Sequence, residues 1–292
     1  MSNQDNAVVN LNNLLNQLER RVSASDELTH SITFDHLDES NNVFSYLARR
    51  GSSYKSYKHY ATRERIESIL GGQAIYLTDG SSWNDTFDSR RFNPQFSANK
   101  KFGICLSVAN GESIAMWMLY GGRDGNGAMI DFDKETLQDA MNQPEYDLGR
   151  FENGAFVTVK TLPADCIKLS LLEVLYFKEA GHDMLKIKRA VGRDKTACIS
   201  RRALSGIEEI AKHDSWAYER EVRLVAKVSM LELTGRQSGI QCIRLPLELS
   251  DDFINNRVYD SPVSDNKGRF LDSALRGTIE WNLCSGCNRL PA

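Results

Sequence analysis

The chain has 292 residues, 41% hydrophobic and 26% charged, which is enough apolar material for a sizeable core in one large domain or one domain with an appendage. A formal charge of −3 provides no broad basic field for nucleic acid, and no apolar run approaches the ~18 residues that would suggest a membrane span. The start MSNQDNAVVNLNN lacks a secretory signal, and six cysteines are too sparse for a disulfide scaffold, so a cytoplasmic protein with small buried thiols is expected.

In residues 7–22, Val8, Leu11, Leu15, Leu18 and Val22 recur at steps of three and four and predict one apolar helical stripe. That stripe packs on its own domain or mediates self-association or contact with a partner. Residues 23–42 are mostly polar and read as a connector, and a short helix is expected at 43–50. Residues 1–50 are thus an N-terminal helical extension, and 51–292 form the main domain.

From residue 54 short strands and helices alternate. Strands are expected at 56–60, 74–79, 102–108, 127–133, 156–162, 173–177, 218–227 and 240–247, all rich in β-branched and aromatic residues. Helices are expected at 62–70, 112–120 and 134–142, and across much of 180–212. Gly71-Gly72 should stop the first, and Asp133 should cap the third. Without a regular βαβ rhythm the fold class is α+β: a central mixed, mostly antiparallel sheet flanked by helices.

The glycine-rich stretch 121–127 runs from helix into strand, the reverse of the order a phosphate-binding loop needs. Cys284-Ser-Gly-Cys287 has no second pair or nearby histidines to complete a zinc site, so no metal is predicted.

Four polar clusters could carry chemistry. Tyr57-Lys58-His59-Tyr60 offers a histidine for a ribose or phosphate and tyrosines for stacking; the competing reading is a packed aromatic strand. In Thr78–Asp88, the aromatics Trp83 and Phe87 stand among Asn84, Asp85 and Asp88, the ingredients of a ligand pocket or of a self-capped turn. Ser107 ends one strand, and Met116, Trp117 and Tyr120 follow at a spacing that reads mainly as core. Lastly, Trp216-Ala-Tyr218-Glu219-Arg-Glu221-Val-Arg223, drawn as a strand, would align Glu219, Glu221 and Arg223 on one face. That face either meets water or lines a site.

The order of these motifs resembles the DUF2971 family of uncharacterised bacterial proteins, from about residue 54 to 265. The features are the Tyr57–Tyr60 strand, Trp83–Asp88, Cys105-Leu-Ser107, Met116-Trp117-x-x-Tyr120 and Trp216-x-Tyr218-Glu219-x-Glu221-x-Arg223. Thr86 stands where the second motif commonly has proline. A second, more distant resemblance is to ADP-ribosyltransferases, which carry an early histidine or arginine, a later serine or tyrosine and a late glutamate.

Carried over, that resemblance implies an NAD-using enzyme, transferring ADP-ribose or hydrolysing NAD, in a bacterial defence or toxin role. It implies Glu221, Glu219 and His59 as catalytic residues, with Glu221 favoured. Tyr60, Trp83, Asn84, Asp85, Ser107, Tyr120, Tyr218 and Arg223 would then bind a nucleotide and an acceptor. The alternative is a non-catalytic module that holds a ligand or partner.

Overall fold

The computed structural model describes residues 47–83, 85–93, 97–109, 113–120, 126–179, 184–189, 197–200, 208–233 and 239–262. The stripe at 7–22, the connector at 23–42, Asn84 and the Cys284/Cys287 pair lie outside them. The architecture is α+β, a mixed, mostly antiparallel sheet arrangement flanked by helices, with residues 47–51 helical ahead of the first strand. The chain divides into two compact units: Met1–Tyr54, Thr78–Ile104 and Cys166–Arg236 form one, and Lys55–Leu77, Cys105–Asp165 and Gln237–Ala292 the other.

In the first unit, strand β12 (Glu221–Ser229) pairs antiparallel with β7 (Ile167–Glu173), from Val222↔Glu173 to Val228↔Ile167. It also pairs with β3 (Asn99–Ser107). Sequence alternation puts Val222, Leu224, Ala226 and Val228 on one face and Glu221, Arg223, Val225 and Lys227 on the other. Both faces are closed over, since all residues from Glu221 to Ala226 are buried. A core of Phe92, Leu172, Leu175, Phe177, Ile210 and Val225 packs on the side that carries the charges.

A small sheet in this unit runs β10 (Ala197–Ser200), β9 (Met184–Arg189), β8 (Leu175–Glu179), β11 (Ala211–His213). Its β8–β11 pair is parallel and the other two pairs are antiparallel. Strands β9, β10 and β11 stand where helices were expected across much of 180–212. The sequence MLKIKR has a period of two rather than 3.6, which is the strand pattern.

In the second unit, β1 (Ser56–Thr62) pairs along its whole length with β4 (Gly127–Asp133), and β14 (Val258–Asp260) pairs with β4. The end of β3 joins β1 through Lys58↔Ser107. Helix α1 (Arg63–Gly72) follows β1 directly, burying Ile66 and Ile69. Thr62 is its N-cap but makes no side-chain cap bond. Helix α1 runs through Gly71 and Gly72, and the left-handed residue is Gln73 (φ 42°), whose N–H reaches back to Ile69 O and Leu70 O.

Helix α4 (Lys134–Met141) starts as expected, Asp133 accepting a hydrogen bond from Thr136 N at 2.8 Å. Here α2 is Thr86–Phe92, in the first unit, and α3 is Ile114–Tyr120, in the second.

Four further strands complete the second unit: β2 (Ala74–Thr78) lies beside β13 (Cys242–Pro246), then come β5 (Glu145–Glu152) and β6 (Ala155–Pro163), with the β13–β5 and β5–β6 pairs antiparallel. The β5–β6 hairpin turns at Asn153-Gly154, both at positive φ (51° and 81°), a combination these two residue types tolerate best. Leu148 pairs with Lys160 but Gly149 with Thr158, so Val159 is bulged out of the ladder. Among the described residues β6 is the outer strand of this set.

Candidate functional site

The expected strand at 218–227 begins late. Asp214–Glu219 is a 3₁₀ turn, Arg220 is left-handed (φ 45°, ψ 55°), and the strand starts only at Glu221. The alternation of Trp216, Tyr218 and Arg220 against Glu219 therefore does not exist. The acids nevertheless come together, because the Arg220 kink brings Glu219 and Glu221 to the same ammonium group. Lys212 Nζ donates to Glu219 Oε2 at 2.6 Å and to Glu221 Oε2 at 3.3 Å.

Neither glutamate meets water. Glu219 and Glu221 are 3% and 2% exposed, which removes the solvated-face reading. Burying charge is costly unless it is paired and hydrogen-bonded, and this group is both. Arg223 Nε donates to Glu221 Oε1 at 2.6 Å, while its Nη1 and Nη2 grip Asp88 Oδ1 and Oδ2 at 2.9 and 2.5 Å. Its Nη1 also donates to the Glu209 carbonyl at 2.9 Å. The Glu209 carboxylate takes Lys101 at 3.1 Å and is also bonded by Lys227. The Tyr176 hydroxyl accepts from Glu221 N at 3.0 Å.

Aromatic rings border the charges. The Arg223 guanidinium lies 5.2 Å from the Trp83 ring centre, and Lys212 Nζ lies 4.8 Å from that of Trp216. Trp83 is held by its own Nε1–H bond to Thr78 Oγ1 (3.1 Å) and by packing on Phe92. Asp85 caps α2, its Oδ1 accepting from Asp88 N at 3.2 Å. Tyr218 is 37% exposed with its ring centre 6.1 Å from that of Trp216.

The electrostatics follow from burial. Burial pushes the Asp88 carboxyl above its ordinary range; Arg223 opposes this and Glu221 adds to it. Burial also works to raise Glu209, but Lys101 and Lys227 outweigh it and the net direction is down. Tyr176 is driven well up, by burial first and the Glu221 charge second, and Tyr218 is raised by burial and by Glu219.

The other expected site residues belong to the second unit. His59 Nδ1 lies 3.2 Å from the Cys105 carbonyl, which fixes the proton there, and Nε2 is buried with no hydrogen-bond partner among the described residues. Burial lowers its pKa to about 4, so the ring is neutral. Tyr60 and Trp117 are buried edge to face at 5.0 Å, with Met116, Met129 and Tyr259 around them and Tyr120 packed against the group. Met116 and Trp117 thus lie in the core, as their spacing suggested. Ser107 is buried, its Oγ without a hydrogen-bond partner among the described residues.

The structure therefore gathers Trp83, Glu219, Glu221 and Arg223 in one charged network of the first unit. Lys212 and Glu209 complete it without any signal in the sequence, since their segment read as helix. Asp88 stood in the Trp83–Asp88 motif, but its partner could not be read from there. Among the described residues no group of three or more His, Cys, Asp or Glu side chains is arranged to hold a metal ion. No helix among them is long and apolar enough to cross a membrane.

Residues 116–224 match the family described as Protein of unknown function (DUF2971). The match takes in Met116–Tyr120 of α3 and the Trp216–Arg223 segment. It is narrower than the expected 54–265 and leaves out the Tyr57–Tyr60 strand, the Trp83–Asp88 motif and Cys105-Leu-Ser107. No curated protein and no solved structure matches the chain, so the comparisons lend no support to a likeness to ADP-ribosyltransferases.

Proposed function

We propose that the protein acts on the bond between nicotinamide and ribose in NAD, transferring ADP-ribose to an acceptor or to water in a bacterial defence or toxin role. One observation carries this reading: Glu219 and Glu221 converge on Lys212 beside the rings of Trp216 and the exposed Tyr218. Cleavage of that bond develops positive charge on the ribose, which a fixed anion stabilises. In this reading the two acids exchange the roles that the sequence resemblance implies for them. Glu221 is engaged by both Arg223 and Lys212 and serves to position, whereas Glu219 sits next to Tyr218 and its charge reaches that ring.

Incubation of pure protein with NAD, with chromatography for free nicotinamide, tests this. Release should fall at least 100-fold in Glu219→Gln, in line with loss of one electrostatic stabiliser. No release from the native protein, or equal release from the variant, overturns the proposal.

A second reading, a non-catalytic binding module, is favoured by the neutralisation of both acids inside the protein by Lys212 and Arg223. It expects NAD or ADP-ribose to raise the melting temperature with no turnover.

A further inference from the structure

We draw no further inference here: the strongest candidate, the outer edge of strand β6 with the half-exposed Phe151 and Val157 beside it, carries nothing because nothing in the structure shows what covers it.

Discussion

Arg223 and Asp88, 135 positions apart in the chain, meet as a fork on a carboxylate, through bonds of 2.9 and 2.5 Å. The pair ties α2 to the central strand of the first unit, and Trp83 lies over the guanidinium. Such geometry is specific to arginine, because an ammonium cannot supply two parallel donors.

Removing one partner leaves the other buried and charged. Asp88→Ala and Arg223→Ala should each lower unfolding stability by about 3–5 kcal/mol, measured by urea denaturation. Arg223→Lys should recover only part of the loss. The double variant should be less damaged than the sum of the two singles, with a coupling of up to about 3 kcal/mol. Additive losses would show that the fork contributes nothing of its own.

Lys212 separates two acids that would otherwise face each other. Lys212→Met keeps the length of the side chain but deletes the charge over Trp216, and a loss of about 3–5 kcal/mol is expected. Adding Glu219→Gln should restore part of it, since one carboxylate then no longer needs a counter-charge. Denaturation midpoints of the single and double variants check this.

His59 makes stability depend on pH in a defined direction. Its folded pKa is near 4 against an ordinary 6.5, so between those values the unfolded chain binds a proton that the folded chain refuses. Its contribution is complete above pH 6.5 and is lost as pH falls to about 4. The full effect is on the order of 3 kcal/mol, at 1.36 kcal/mol per pH unit. In His59→Asn, which can still donate to the Cys105 carbonyl, stability plotted from pH 4 to 7 should flatten by close to one proton.

Arg220 is held left-handed with its side chain exposed, so only its backbone matters to the acid pair. A left-handed L-residue costs about 1–2 kcal/mol, and a β-branched one costs more. Arg220→Gly should therefore leave the unfolding free energy within about 1 kcal/mol of the native value or raise it. Arg220→Val should lower it clearly and reduce any NAD-dependent signal.

Most strands were legible because one or both faces are apolar with β-branched residues; Gly127–Asp133 has the expected bounds. What failed has physical causes. Strand β9 alternates apolar with basic residues, and its charge content masked the period of two. The expected strand at 173–177 is broken at Val174, whose N–H turns to the Glu221 carbonyl, a partner that no local pattern announces.

The candidate site was half legible. Aromatic and acidic residues clustered in sequence mark Trp83, Glu219, Glu221 and Arg223. Long-range pairing then decides what they do, and Lys212 and Glu209 enter only through tertiary structure. The error at 216–220 came from treating a charged aromatic run as extended, when a single residue with positive φ interrupts it.

The skipped residue at Val159 bears on how the molecule behaves in a crowded solution. A flank with one residue out of step cannot be continued by a regular strand of a neighbouring molecule, because donors and acceptors on either side of the break fall out of phase. The bulge thus works as a stop against fibre growth on that flank, and it leaves the exposed phenylalanine nearby without a growing ladder to reinforce its stickiness.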